Sequence, residues 1–229
     1  MSSVGQLVKL RATQRVPRLP ALRAGCRGTL WGRRRLPACP TPKENCLIAD
    51  ITQLASRIRL LLMDVDGVLT DGKLYNVPGP DGKMVETKGF DSQDGIGLQW
   101  MARVGIATGL ISGRVSPATV ERAAQCKFKY VYQGHTEKIP ILEEILADAK
   151  LAPEEVAYIG DDFTDVVVMR RVGLAIATAN ARPEMLPIAH YITQAPGGQG
   201  AVREVVELLL KAQGKWDGIL KHYEISLEK

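Results

Sequence analysis

Apolar residues in this chain fall into short uninterrupted runs separated by stretches with helical spacing. Leu60–Met63 is a four-residue run without alternation, the pattern of a strand buried on both faces. Runs at Ile106–Ser112, Tyr130–Gln133, Val156–Gly160, Leu174–Ala177 and His190–Thr193 predict five more strands. Helices are predicted at Gly95–Val104, from Ser116 and Pro117 to about Gln125, at Thr164–Val172 and at Gly200–Gln213. Ser116 followed by Pro117 reads as an N-cap and a first-position proline. A further helix, capped by Thr136, carries Ile139, Leu142, Ile145 and Leu146 on one face. Lys73–Val77 and Lys83–Lys88 flank Pro-Gly-Pro-Asp-Gly, which predicts a β-hairpin standing over the end of the first strand. Strands alternating with helices imply an α/β fold with a parallel sheet covered on both sides. There is no internal repeat and no inserted second core, so the hairpin, or another subunit, must close any site at the strand ends.

Charge divides the chain in two. Residues 1–43 hold ten Lys/Arg and no acid, so the net +5 less this +10 leaves −5 for the remainder. We therefore expect a basic, Pro/Gly-rich disordered leader over 1–45 and one folded domain over 46–229. A transit peptide, a nucleic-acid or membrane-surface arm and an unselected extension compete as readings of the leader. The pI near 9.0 reflects the leader and gives no reason to expect nucleic-acid binding by the acidic body. No apolar run approaches the ~18 residues that span a bilayer. Four cysteines with no CxxC pair favour reduced thiols. A soluble cytoplasmic protein is the expectation.

The chemistry concentrates where strands end. Asp64 and Asp66 follow the first strand in Asp-Val-Asp-Gly, and positions two apart on extended chain face one spot. Two such carboxylates repel unless a cation or a proton lies between them. Ser112 and Gly113 end the second strand, where a hydroxyl and free backbone N–H groups suit phosphate oxygens. Lys138 sits in the first turn of its helix against the macrodipole, a placement that suits phosphate neutralisation. Gly-Asp-Asp-Phe-Thr-Asp, residues 160–165, opens another helix and offers oxygen ligands for Mg2+. Within it we expect Asp161 on the metal, Asp162 as N-cap and Asp165 in the first turn. Arg114 either meets an anionic substrate or pairs with a surface acid. His135, His190 and His222 show no triad or metal spacing.

These four elements in order, Asp-Val-Asp-Gly-Val-Leu-Thr, Ser-Gly-Arg, the helix-start lysine and Gly-Asp-Asp, resemble the haloacid dehalogenase superfamily of aspartate-nucleophile phosphatases. The chain is similar in particular to the capless 3-deoxy-D-manno-octulosonate 8-phosphate phosphatase family. That similarity extends to residues 73–76, to Tyr132–Gly134, to Val156–Asp162 and to Gly197–Lys215. It implies a Rossmann-like fold, Asp64 as nucleophile, Asp66 as general acid/base, and Ser112 and Lys138 on the phosphoryl group. It also implies magnesium on Asp64, the Asp66 backbone carbonyl and Asp161, and a homotetramer in which a neighbour's flap and the C-terminal tail complete the site. Two positions depart from the family pattern. Gln93 and Gln199 stand where the family usually has arginine, and glutamine cannot form arginine's bidentate carboxylate pair.

The expected activity is Mg-dependent hydrolysis of a sugar-acid phosphate through an aspartyl-phosphate. An N-acylneuraminate or related nonulosonate 9-phosphate is the alternative substrate. A non-catalytic oligomerisation module is the alternative from another class, disfavoured because the nucleophile, the lysine and the metal aspartates all remain.

Overall fold

The computed structural model describes residues 50–226. The expected leader at 1–45 lies outside the described residues. A helix α1, described over residues 50–56, leads into β1 (Leu60–Met63). A hairpin of β2 (Tyr75–Pro78) and β3 (Met84–Thr87) follows. The chain continues through α2 (Ser92–Arg103), β4 (Ala107–Ser112), α3 (Pro117–Gln125), β5 (Tyr130–Gln133) and α4 (Lys138–Ala149). It ends with β6 (Val156–Gly160), α5 (Phe163–Met169), β7 (Leu174–Ala177), β8 (Tyr191–Ile192), α6 (Ala201–Ala212) and α7 (Trp216–His222).

The sheet has six strands in the order β5-β4-β1-β6-β7-β8, every pairing parallel. Along β1, Leu61 and Met63 enter one core and Leu60 and Leu62 the other, as the two-residue period of a strand requires. On one face α2, α6 and α7 contribute Leu98, Met101, Val205, Leu209 and Ile219. On the other, α4 and α5 contribute Ile141, Leu142, Ile145, Val168 and Met169. Burying each such side chain stabilises by roughly 1.5–3 kcal/mol, so both faces resist slippage of the strand that carries the first aspartates.

The α/β parallel sheet with helices on both sides is therefore as expected, and among the described residues no cap domain is inserted. Boundaries moved where local chemistry differed from the pattern. The first major helix begins at Ser92 rather than Gly95, because Asp91 caps it, accepting from Gln93 N at 2.7 Å and Asp94 N at 3.1 Å. Thr136 does not cap α4; its N-cap is Glu137, with no side-chain cap bond. Ser116 does precede Pro117 at the start of α3, but its hydroxyl is buried without a cap bond. α5 is shorter than predicted, and α7 was not predicted.

Register sets the functional edge. Met63 pairs with both Leu110 and Ile159, so β1, β4 and β6 end along one edge, with Ser112 and Gly160 reaching just beyond Met63. Ligands of open α/β sheets bind at this edge, at the point where strand order reverses. β1 is that point: chain order runs outward from it in both directions.

Candidate active site

Asp64 N donates to Ile159 O at 3.0 Å, so the first aspartate is still held in the sheet. Its side chain is nearly enclosed, with the residue 9% exposed. The chain then turns sharply, with the N–H groups of Leu69 and Thr70 both donating to Val65 O. Gly67 has φ +90°, and a Cβ there would overlap the Asp161 carboxylate. Glycine is required twice over: for the backbone angle and for the approach of β6's acid to β1's.

Lys138 opens α4 and is buried. Its Nζ lies 3.0 Å from Asp64 Oδ1 and 2.7 Å from Asp165 Oδ1, and it donates to the Tyr158 hydroxyl at 3.1 Å. Burial disfavours the ammonium, but the Asp165 and Asp64 charges outweigh it and hold its pKa above the ordinary lysine value. The lysine is a fixed cation beside the first aspartate. Ser112 at the tip of β4 is also buried, and its Oγ accepts from Arg114 N at 3.2 Å.

The tip of β6 separates three acids by role. Asp162 is the N-cap of α5, accepting from Phe163 N at 2.7 Å. Asp165 is wholly buried; its Oδ2 accepts from Asp161 N at 3.0 Å and Asp162 N at 3.3 Å, and its Oδ1 from Lys138 and Tyr158. Asp161 alone has a buried oxygen, Oδ1, with no partner. Asp64, Asp161 and Asp165 each present an oxygen within 4.8 Å of the others. Burial, and then the neighbouring carboxylates, push Asp161 up to about 8 and Asp64 up to about 6. A divalent cation fits this donor set: hard oxygen ligands, one orphaned, in excess of the local positive charge. Asp165 is spoken for by two N–H groups, a phenol and the lysine, which leaves Asp64 and Asp161 as the side chains free to hold it.

All six residues singled out in the sequence, Asp64, Asp66, Ser112, Gly113, Lys138 and Asp161, line one cavity of about 290 Å³. Arg114, left undecided from the sequence, lines it too and pairs with Glu86 of the hairpin and with Asp66, Nε to Oδ2 at 3.8 Å. Three further side chains take part, Tyr158 and Lys88 beyond those the sequence singles out, and Asp165 in a larger role. Asp165 is the helix-start acid the sequence predicts, and it also braces four groups at once. Tyr158 lies inside a fully buried strand, and a phenol in such a strand needs a polar partner, a signal that was available. Lys88 follows the hairpin, is 2% exposed at its side chain and pairs with Asp66 and with Glu86; nothing in local pattern marks it. Lys88 also lines a second, larger cleft of about 740 Å³ with Tyr75, Asp91 and Gln199.

The family described as haloacid dehalogenase-like hydrolase matches residues 115–205. The 3-deoxy-D-manno-octulosonate 8-phosphate phosphatase of Yersinia pestis is 44% identical over 169 residues, covering 74% of this chain and 88% of the relative. The chain belongs to this phosphatase family. The crystal structure of the Yersinia pestis phosphatase matches with a TM-score of 0.70, over 74% of this chain and 89% of that one. A family structure from Moraxella catarrhalis, solved with a magnesium ion, a phosphate ion and a KDO molecule, is 37% identical. Its TM-score is 0.72, and the match covers 76% of this chain and 98% of that one. The cobalt-bound phosphatase of Haemophilus influenzae is 33% identical with a TM-score of 0.66, covering 71% and 93% respectively. Family membership and the oxygen-rich donor set agree on a divalent metal.

Proposed function

We propose that the protein is a magnesium-dependent phosphomonoester hydrolase acting on 3-deoxy-D-manno-octulosonate 8-phosphate through an aspartyl-phosphate. The observation that carries this reading is the convergence of Asp64, Lys138, Ser112 and an Asp161 with an orphaned oxygen on one small cavity. Asp64 attacks phosphorus while Lys138, the Ser112 hydroxyl and the N–H groups after β4 hold the phosphoryl oxygens. Magnesium, held by Asp64, Asp161 and the Asp66 backbone carbonyl, would neutralise charge on the phosphoryl group. Asp66, protonated, gives its proton to the departing alkoxide; the resulting carboxylate then takes one from the water that hydrolyses the aspartyl-phosphate. Such proton transfer is worth typically ~10²–10⁴-fold. Forming the covalent ester divides one hard displacement into two easier ones.

The substrate is a sugar phosphate. A nonulosonate 9-phosphate, which bears the same carboxylate on a longer sugar, is the second reading; it is motivated by the departure from the family's arginine at Gln199, on the wall of the larger cleft. Phosphate release from a panel of sugar phosphates, with and without chelator, separates these. Turnover confined to the eight-carbon acid rejects the second reading, and no turnover of any ester with magnesium rejects both.

We propose further that the protein acts in the cytoplasm as a homotetramer. Leu74, Met84 and Val85 of the hairpin are 55%, 61% and 48% exposed in the single chain, apolar surface of a kind that another subunit covers. Among the described residues no helix is long and apolar enough to cross a membrane. Light scattering that returned a monomer at micromolar concentration would refute the tetramer.

A further inference from the structure

We propose that Lys88, at the foot of the hairpin flap, is a positioning residue that holds the Asp66 carboxylate against the leaving group, so that flap docking and proton transfer are one coupled arrangement. The inference deepens the phosphatase reading and rests on it.

The hairpin is exposed, with every residue of β2 and the first two of β3 facing solvent. Lys88, just beyond β3, is the exception, with a side chain 2% exposed. Burying an ammonium is expensive unless a carboxylate and hydrogen bonds compensate. Two carboxylates face this one. Glu86 lies 3.6 Å from Nζ, whereas Asp66 Oδ1 makes the direct hydrogen bond. The tighter partner is thus the acid/base candidate rather than the flap's own glutamate.

The second oxygen of Asp66 is constrained as well. Arg114 Nε lies 3.8 Å from Oδ2, and Arg114 in turn pairs with Glu86. Asp66, Lys88, Glu86 and Arg114 form a closed ring of alternating charge joining the β1 loop, the flap and the β4 loop. A carboxylate engaged from both sides keeps one orientation, whereas an unbraced aspartate side chain samples several.

The position of this pair matters for the reaction. Asp66 lines the phosphoryl cavity and Lys88 lines the larger cleft. The pair stands at the boundary between the two, where an ester oxygen bridging phosphorus and a bound sugar must lie. Lys88 occupies Oδ1, whereas Oδ2, 3.8 Å from Arg114 and outside hydrogen-bond reach of it, is the oxygen that can carry a proton to the leaving group. No bond to Lys88 forms or breaks; the lysine acts only through Asp66.

A positioning role for a general acid has a signature that a structural role lacks. A sugar alkoxide is a poor leaving group and needs the proton, whereas p-nitrophenolate departs without one. The experiment compares Lys88→Met with wild type and Lys88→Arg on the sugar phosphate and on p-nitrophenyl phosphate, at saturating magnesium. At saturating substrate the Met variant should lose roughly 10–100-fold in the burst rate of leaving-group release from the sugar phosphate, a step completed before Asp66 acts on water, within the range of general acid–base catalysis. It should lose less than about 3-fold on the aryl ester, and Lys88→Arg should recover part of the sugar-phosphate rate. Because the ratio of the two rates is read in one preparation, partial unfolding cancels; should the Met variant be insoluble, Lys88→Gln gives the same ratio. Equal losses on both esters, or no loss on either, overturn the proposal. Wild type failing to hydrolyse either ester would instead refute the underlying phosphatase reading.

Discussion

Asp165 Oδ1 accepts from Lys138 Nζ at 2.7 Å, closer than the 3.0 Å between that lysine and Asp64. The lysine thus leans on an acid that does not face the substrate, and Asp64 receives a cation already fixed in place. Asp165→Ala would leave a buried ammonium with one partner fewer, strip Tyr158 of its acceptor, and free the N–H groups of Asp161 and Asp162. Breaking a buried pair from one side typically costs 3–5 kcal/mol. Urea denaturation should show a loss of about that size, with kcat falling by about 10²-fold or more in the fraction that remains folded. A loss under about 1 kcal/mol would mean that water compensates the lysine.

The acids at the strand tips predict an inverted pH dependence for metal-free protein. Asp161 is raised to about 8 and Asp64 to about 6, from the ordinary aspartate value of 3.8, through burial and the repulsion of neighbouring carboxylates. A raised folded-state pKa means the folded protein binds protons more tightly than the unfolded chain. This stabilising contribution is complete below pH ~4 and is lost as pH rises toward 8. In chelator, the melting temperature should therefore fall between pH 5 and 8 more steeply than in saturating magnesium, whose charge replaces the protons. Asp161→Asn should flatten much of the slope in chelator. Identical slopes with and without magnesium would show that the cation does not bind between these carboxylates.

Gly67 is where conformation and chemistry meet. Its φ of +90° disfavours any side chain, and a methyl there would overlap the Asp161 carboxylate. Gly67→Ala should cost more than the ~1 kcal/mol typical of alanine at positive φ, and should weaken magnesium affinity by at least about tenfold by displacing Asp161. Calorimetric titration of magnesium measures the second effect separately from stability. Unchanged affinity would show that Asp161 moves aside without leaving the ion.

The sequence made the frame of this site legible because its signals are local. Leu60–Met63 is a buried strand whatever lies around it, and acids two residues apart beyond its end announce themselves. The same holds for Ser112 and for the acids after Gly160. Lys88 was invisible because its meaning comes from a hairpin folding back across 22 residues onto Asp66. Asp165 stands in the first turn of α5 as expected, but its further role is hidden for a related reason: a helix-start acid is commonplace, and only the arrival of Lys138 from 27 residues away makes it a brace. Helix ends moved by a few residues where side chains such as Asp91 overrode the apolar period. Long-range pairing, not propensity, was the missing information.

The two glutamines that replace the family's usual arginines are not equivalent. Gln199 follows Gly198, whose backbone N–H donates to Val68 O at 3.0 Å, and lines the 740 Å³ cleft beside Lys88. Gln93 is exposed on the first turn of α2, whereas its neighbours Asp91 and Ser92 line the cleft. An arginine restored at 199 would place a bidentate carboxylate partner in the cleft. Charge-assisted hydrogen bonds contribute roughly 1.5–3 kcal/mol, so Gln199→Arg should raise kcat/KM for a carboxylate-bearing sugar phosphate about 10-fold or more, mainly through KM. The same change should leave a neutral sugar phosphate within about 2-fold. Gln93→Arg should change neither substrate's constants within a subunit whose cleft it does not line. If Gln93→Arg gives the larger gain, the sugar acid is bound by a surface shared between subunits, and the cleft of the single chain is not where its carboxylate rests.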